Sequence, residues 1–242
     1  RATLSFNRMD MDAVKRLTEQ TRTYLADDAK GGLFNMRLAL EGIAAFNLAL
    51  AHEFSGEISD AVDAFEVAIR LLREDENLHL LPMAMSHLAQ LQVTRGELHL
   101  ASDTYEEALA WAHSGDMTSP LSGMAYTGLG NLLYEWNRLE KAAEALDRGL
   151  ALGRPWFHWE IMLTGTTGLA HLDLARGEPS QAMARLKALA DVAREREMPW
   201  AIPIAKAHQA QCAARQGDFT MVNRWLQENP LQLERDVFYA EE

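Results

Sequence analysis

Apolar residues recur at helical spacing along most of the chain, in pairs of stretches that are divided by a single Gly or Asn. The dividing residues follow one another at intervals of 40, 41, 40 and 40, and they are Gly56, Gly96, Asn137, Gly177 and Gly217. Gly and, less often, Asn adopt the left-handed backbone conformation that ends a helix. The pattern therefore predicts five helical hairpins, each turning at its dividing residue.

Two columns of small residues accompany these turns. Seven positions before each turn stand Ala49, Ala89, Gly130, Ala170 and Ala210, and five positions after it stand Ala61, Ala101, Ala142, Ala182 and Val222. Four positions further on, larger apolar residues share the face of the second helix by the i, i+4 rule: Phe65, Tyr105, Leu146, Leu186 and Leu226. Because small side chains let helices approach closely, we predict that the small columns pack within each hairpin and the large row between repeats.

This spacing resembles the tetratricopeptide repeat (TPR), although the period of that family is about 34 residues and this one is longer. HEAT-like repeats, whose period is nearer 40, are the helical alternative, whereas propeller blades need strands and the chain shows no period-two alternation. The predicted fold class is all-α, a TPR-like α-solenoid of antiparallel hairpins. It forms one domain over residues 1–242, with a partial repeat at 1–36 and repeats at about 37–77, 78–117, 118–157, 158–198 and 199–235.

The two ends of the chain depart from the full repeat. Asp12-Ala13-Val14 with Leu17 matches Asp60-Ala61-Val62 with Phe65, so we expect the chain to open on the second helix of a truncated repeat. Pro230 should end the last repeat, as a terminal cap or the edge of the segment. Since the sequence starts at Arg1 without an initiator Met, we expect a piece of a longer protein or a processed chain.

The third repeat carries a closer resemblance. Residues 123–156, GMAYTGLGNLLYEWNRLEKAAEALDRGLALGRPW, resemble the superhelical sensor region of MalT-like, LuxR-type ATP-dependent transcriptional regulators, and the likeness extends more loosely over residues 40–217. In that family an ATPase module precedes the repeats and a LuxR-type helix-turn-helix follows them. A small inducer or partner protein binds the repeats and releases an autoinhibited state. The resemblance implies that this chain binds no cofactor itself and that an upstream module binds ATP. It also leaves open that the chain associates with further copies of itself.

Charge and hydropathy limit the partners of the chain. A formal charge of −12 and a pI near 5.1 oppose a nucleic-acid-binding surface, so DNA contact should fall to the C-terminal module that the resemblance implies. The longest uncharged stretches contain His, Gln, Ser, Pro and Gly, which argues against a membrane span. With a single cysteine, Cys212, no intramolecular disulfide is available. We expect a soluble, cytoplasmic protein.

Catalytic and metal-binding signatures are absent from the sequence. No His-Glu-x-x-His, Gly-x-Ser-x-Gly or Cys-x-x-Cys occurs, and residues 123–128 have phosphate-loop spacing with Leu129 in place of the required Lys. His79 and His87 are too far apart to share a metal without a third ligand. The aromatic run at residues 156–159 follows Pro155, which should begin a helix. We expect those aromatics to wedge hairpins together, with ligand stacking as the alternative.

A candidate binding face follows from the repeat. First helices line the concave side of stacked hairpins, which is the usual binding surface of a solenoid. The residue after each small first-helix position is Leu50, Gln90, Asn131, His171 or Gln211, so four of the five are polar and uncharged. Such a row suits a neutral or weakly polar small ligand or a peptide backbone. The candidate ligand-binding residues are Gln90, Thr127, Asn131, Tyr134, Glu135, Thr167, His171 and Gln211.

Three functions compete at this point. The first is the sensor region of a MalT-like regulator that binds an effector in the groove and relays binding to other domains. The second is a scaffold that binds a peptide or protein partner and no small molecule. An enzyme is the weakest of the three, because no constellation of residues supports it. The polar row also has a plainer explanation as a solvated helix surface.

Overall fold

The computed structural model describes residues 11–27, 36–75, 79–113 and 120–228. These residues form eleven α-helices and no strand, which confirms the all-α prediction. In chain order the helices are α1 (Met11–Asp27), α2 (Arg37–Phe54), α3 (Ile58–Glu74), α4 (Leu80–Thr94), α5 (Leu98–Ala112), α6 (Ser122–Glu135), α7 (Leu139–Gly153), α8 (Trp159–Ala175), α9 (Pro179–Glu195), α10 (Ala201–Arg215) and α11 (Phe219–Glu228). In this part of the chain, no helix is long and apolar enough to cross a bilayer.

Every predicted turn residue adopts the left-handed conformation. The φ angles are 74° at Gly56, 76° at Gly96, 77° at Gly177 and 79° at Gly217, and Asn137 has a φ of 55°. The amide after each turn donates back to a carbonyl in the preceding helix, for example from Arg138 to Leu133 at 2.8 Å. This bond closes the helix end. The five predicted hairpins are thus α2–α3, α4–α5, α6–α7, α8–α9 and α10–α11, and α1 precedes them as a lone second helix.

The chain divides into two compact units, residues 1–125 and 126–242, with the boundary inside α6. The small columns are buried in both units, at Ala49, Ala61, Ala89 and Ala101 in the first and Ala142, Ala170, Ala182 and Ala210 in the second. The large row is equally buried at Phe65, Tyr105, Leu146 and Leu186, whereas Leu226 in α11 is half-buried. Both the small columns and the large row are thus buried in the repeats before the last one.

The connections between hairpins differ from the prediction for the aromatic run. Pro155 was expected to begin a helix, but it lies in the turn between α7 and α8, and α8 begins at Trp159. Phe157 has a φ of 48°, and the amide of His158 donates to the carbonyl of Gly153 at 3.1 Å. That bond closes the end of α7, and it requires a left-handed residue just before it. Glu197, with a φ of 54°, serves the same purpose after α9.

The aromatic wedge is also smaller than predicted. Trp156 is 74% exposed and so fills no gap between hairpins. Trp159 does pack inward, against Leu189, Ala190 and Ala205, and its ring meets that of Trp200 at 5.7 Å in an edge-to-face arrangement. Trp159 therefore acts as a wedge, whereas Trp156 does not. Pro230 and the acidic tail lie outside the described residues.

Candidate functional site

Seven of the eight candidate residues lie in the second unit and Gln90 lies in the first. Those of the second unit that follow the small column, Asn131, His171 and Gln211, are half-buried on α6, α8 and α10. Tyr134 lies one helical turn after Asn131 on α6 and is also half-buried. We call the surface defined by Asn131, Tyr134, His171 and Gln211 the first-helix face of the second unit.

Asn131 is occupied by backbone contacts. Its side-chain amide donates to the carbonyl of Thr127 at 3.1 Å, on its own helix, and to that of Thr164 at 3.3 Å, on α8. Its amide oxygen lies so close to Gly168 that a Cβ there would overlap it. The side chain therefore bridges two first helices, which leaves it little capacity to bind a ligand.

The two threonines belong to the same helix contact. Thr127 and Thr167 are both buried, and the hydroxyl of Thr167 donates to the carbonyl of Leu163 at 2.9 Å. A Cβ added to Gly165 would lie 3.0 Å from the methyl of Thr127, so the methyl fills the space that the glycine leaves. Thr127 and Thr167 thus lie beneath the first-helix face, and Glu135 is exposed at the end of α6.

Two of the candidate residues, Tyr134 and His171, contact each other through their rings. Their ring centroids lie 5.8 Å apart and the planes are tilted by 34°. Burial, followed by the electrostatic effects of Arg215 and His208, lowers the pKa of His171 to about 4. The imidazole is therefore neutral near pH 7, so it offers one N–H donor and one acceptor nitrogen.

The sequence analysis missed Arg215 and His208, which lie on α10 and act electrostatically on His171. A register signal for Arg215 was present, because it stands two positions before its turn at Gly217, as Glu135 does before Asn137. The polar-row argument reached Glu135 at this register but not Arg215. His208 stands nine positions before the turn, a register at which no candidate had been chosen.

In the first unit, Gln90 is exposed on α4, and its side-chain oxygen accepts a hydrogen bond from the hydroxyl of Tyr105 at 3.3 Å. The same unit contains a buried polar contact, in which Nδ1 of His87 lies 3.0 Å from a carboxylate oxygen of Glu53. The His87 ring stacks on Phe65, with centroids 5.4 Å apart and planes 6° from parallel. These contacts join α2, α3 and α4 through polar and aromatic packing.

One set of side chains in the first unit has the composition of a metal site. The potential ligand atoms of His52, Glu57 and Asp60 all lie within 4.8 Å of one another. However, Nζ of Lys15 donates to both carboxylate oxygens of Glu57, at 2.8 and 2.6 Å. The hydrogen bond from Lys15, followed by that from His52, lowers the pKa of Glu57. The ammonium already supplies the positive charge, so this set is an ion-pair network that joins α1 to the α2–α3 hairpin.

Cys212 is buried in α10, in contact with Ala170, Ala182 and Leu186. Burial raises the pKa of its thiol, so the reactive thiolate is disfavoured.

Comparison with known proteins places this geometry in a family. The chain matches the family profile of the MalT-like TPR region over residues 1–242. No curated protein matches it in sequence at a significant level.

Several solved structures share the fold at low sequence identity. Apo RapI superimposes with a TM-score of 0.69 at 12% identity, over 95% of this chain and 80% of that one. A Rap protein complexed with competence and sporulation factor gives 0.64 at 12% identity, over 97% and 76%. A signal transduction ATPase with numerous domains (STAND) and a tetratricopeptide repeat sensor, from Pyrococcus horikoshii, gives 0.58 at 14% identity, over 96% and 36%.

These likenesses favour a TPR-like solenoid over a HEAT-like one, as the spacing of small and large residues predicted. Because the profile covers the whole chain, the protein belongs to the MalT-like TPR region family.

Proposed function

We propose that this chain is the sensing region of a MalT-like, LuxR-type transcriptional regulator, and that the first-helix face of the second unit binds its effector. The observation that carries the proposal is the half-buried Tyr134–His171 pair, whose rings lie 5.8 Å apart. Paired aromatic rings with a few polar atoms are typical of small-ligand sites. The proposed role is non-catalytic, with ATP and DNA bound by modules outside this chain and with self-association available for relaying the signal.

The family and two of the structural likenesses support this proposal. The chain belongs to the MalT-like TPR region family, and the STAND protein is an ATPase whose TPR segment is described as a sensor. The Rap protein was solved in complex with competence and sporulation factor, so a protein of similar fold binds that factor. This chain spans 36% of the STAND protein, as a sensing segment within a larger protein would.

The test is a thermal-shift screen of small metabolites and short peptides against the wild-type chain. We expect a stabilising ligand whose effect is lost in Tyr134→Ala and His171→Gln. The matched control is His99→Gln, an exposed histidine on a second helix of the first unit, which should bind like wild type. Asn131→Ala is a poor probe, because its loss would break the α6–α8 bridge. A ligand that binds all three variants equally would place the site elsewhere.

The alternative function is a scaffold for a peptide or protein partner. It is favoured by the exposed aromatic side chains Trp156 and Trp200, since tryptophan is enriched at interaction hot spots. Stable binding of a partner protein that is lost in Trp156→Ala and Trp200→Ala, together with no hit among small molecules, would establish it. The complete gene discriminates further, because a phosphate-binding loop upstream and a basic helix-turn-helix downstream are required by the regulator alone.

A further inference from the structure

We propose that two copies of this chain associate through the edge of the second unit that carries the turns α7–α8 and α9–α10. We call this surface the tryptophan edge, and it is defined by Trp156, Phe157, Arg196 and Trp200. The occupant is a second copy of the chain, related to the first by a two-fold axis. The inference rests on the proposed function for the role of self-association, but it does not involve the first-helix face.

Two contacts hold these turns side by side. The guanidinium of Arg196 lies over the ring of Phe157, 4.7 Å from the ring centroid. The ring of Trp200 meets that of Trp159 at 5.7 Å in an edge-to-face arrangement. Trp156 directly precedes Phe157, so it belongs to the same edge of the unit as Trp200. The two turns therefore form one continuous surface.

The tryptophan edge exposes two large indole rings. Trp156 is 74% exposed and Trp200 is 54% exposed, and each follows an exposed proline, Pro155 or Pro199. Since a tryptophan side chain presents about 150–250 Å², the two indoles leave roughly 250 Å² of mainly apolar surface to water in each copy. Contiguous apolar surface with a polar rim is typical of interaction sites.

Both turns retain a side chain where the backbone favours glycine. Phe157 has a φ of 48° and Glu197 a φ of 54°, whereas the turns within the α8–α9 and α10–α11 hairpins use Gly177 and Gly217 at positive φ. A side chain in this conformation is unfavourable, and such positions are typical of functional surfaces. The retained side chains supply the ring beneath Arg196 and a carboxylate on the rim of the edge.

The distribution of charge favours a second copy as the partner at this edge. Residues 1–125 contain 19 acidic and 10 basic side chains, whereas residues 126–228 contain 12 of each. Two chains that each carry a net charge of −12 repel one another. That repulsion is weakest when they meet through the balanced second unit, which contains the tryptophan edge.

The rim of the edge is also self-complementary in charge. Arg154 is exposed on the α7–α8 turn, and Glu195 and Glu197 are exposed on the α9–α10 turn. The guanidinium of Arg196 lies over Phe157 of its own copy. A two-fold axis between the turns brings the α7–α8 turn of each copy against the α9–α10 turn of the other. Arg154 of each copy then meets Glu197 of the other, around a centre of packed indoles.

The size of the edge predicts a weak dimer. Standard interfaces bury about 800 Å² on each partner, roughly three times the area that the two indoles expose. We therefore expect a dissociation constant of about 10–100 µM, as is typical of small, transient interfaces.

The test is sedimentation equilibrium of the purified chain, at concentrations from about tenfold below to tenfold above that constant. We expect the average mass to rise from 27.1 kDa toward twice that value. Trp156→Ala should weaken association by about tenfold or more, because a two-fold contact buries each indole twice. Since the Trp156 side chain is mostly exposed in the single chain, this variant should keep the wild-type urea midpoint. The midpoint separates a lost contact from a lost fold.

The matched control is Phe219→Ala, which should dimerise like wild type. Phe219 is 62% exposed in the same unit, but it follows the turn at the other end of α10. Charge reversal tests the two-fold arrangement. Arg154→Glu and Glu197→Lys should each associate more weakly than wild type when alone. An equimolar mixture of the two variants should recover association, because the reversed charges then face each other.

Each opposite result overturns the proposal. A mass that stays at 27.1 kDa at the highest concentration shows that the chain does not self-associate. A dimer that Trp156→Ala leaves intact, or that Phe219→Ala weakens equally, uses another surface. A mixture of the charge variants that fails to recover association contradicts the two-fold arrangement. If the chain is monomeric but binds a different protein through Trp156, the edge serves the scaffold function instead.

The proposed function and this inference can fail separately. A ligand that requires Tyr134 and His171 in a chain that stays monomeric would support the effector site and remove the dimer. A dimer that requires Trp156, with no ligand dependent on Tyr134 or His171, would give the reverse outcome.

Discussion

Gly130 occupies a position at which the other repeats have alanine, at Ala49, Ala89, Ala170 and Ala210. The repeat pattern alone would predict that Gly130→Ala stabilises the protein, because alanine is favoured over glycine in a helix by about 1 kcal/mol. The structure predicts the opposite. A Cβ at residue 130 would lie 2.7 Å from Cγ of Leu146, 3.0 Å from its Cδ2 and 3.1 Å from its backbone nitrogen.

The magnitude follows from how little Leu146 can move. Its side chain is fully buried in the cluster with Ala142, Leu150, Leu169 and Leu172. Rotation of the leucine would leave the backbone contact in place, so α6 and α7 must separate slightly. Overpacking of this kind costs about 1–3 kcal/mol, which exceeds the helix-propensity gain. We expect Gly130→Ala to lower the free energy of unfolding by about 1 kcal/mol.

The assay is urea unfolding with tryptophan fluorescence, compared through midpoint and slope. A double-mutant cycle with Leu146→Ala tests the cause. That change costs about 2–5 kcal/mol on its own, but it removes the two closest atoms, so Gly130→Ala in its background should be clearly less unfavourable than in the wild-type chain. Ala170→Gly is the matched control, and it should destabilise by about 1 kcal/mol or more. A higher urea midpoint for Gly130→Ala in the otherwise wild-type chain would refute the steric reasoning.

Further predictions concern the turns and the ionisable groups. Glu197→Gly should raise the free energy of unfolding by about 1 kcal/mol, measured in urea, because glycine relieves the positive φ of 54°. Phe157→Gly should gain less, because it also removes the ring that lies 4.7 Å from the Arg196 guanidinium. The pKa of Glu57 is lowered in the folded state, so its contribution to stability is present above about pH 4.5 and is lost as the pH falls through its folded-state pKa. Glu57→Gln should therefore flatten that part of the plot of urea midpoint against pH. The pKa of His171 is lowered from 6.5 to about 4, so as the pH is lowered the unfolded chain takes up this proton before the folded chain does. Stability should therefore fall as the pH decreases from 6.5 to about 4, and a plot of urea midpoint against pH that His171→Gln leaves unchanged would contradict this. Cys212 should resist a thiol reagent in the native state and react after unfolding, as followed by absorbance.

The fold was predictable because its determinants are local and repeated. A left-handed turn favours Gly or Asn, and a close helix contact requires a small residue. The residue types at Gly56 and Ala49 therefore predict the turn and the helix contact that the structure has there. The inter-hairpin turns were less predictable. Phe157 and Glu197 adopt a positive φ although neither is Gly or Asn, so their residue types do not indicate a turn. With the turn at Phe157 unrecognised, Pro155 was wrongly predicted to begin a helix.

The candidate site was predictable only in part, because polarity in a sequence does not reveal the partner of a side chain. Asn131 and His171 occupy the same register position, yet one bonds two backbone carbonyls and the other faces the Tyr134 ring. Whether the Asn131 amide bonds the backbone of the next helix depends on how closely α8 approaches α6. Gly168, which is distant in sequence, allows that close approach. Arg215 was missed for a similar reason, since its effect on His171 requires knowing that α8 and α10 are neighbours.

The bridge from Asn131 to the main chain of Thr164, seated against Gly168, has a mechanical consequence. Sliding α6 along α8 would break a bond to the backbone and drive an amide oxygen into a helix that has no side chain there to yield. We therefore expect α6 and α8 to move together, as one rigid pair, when a ligand binds.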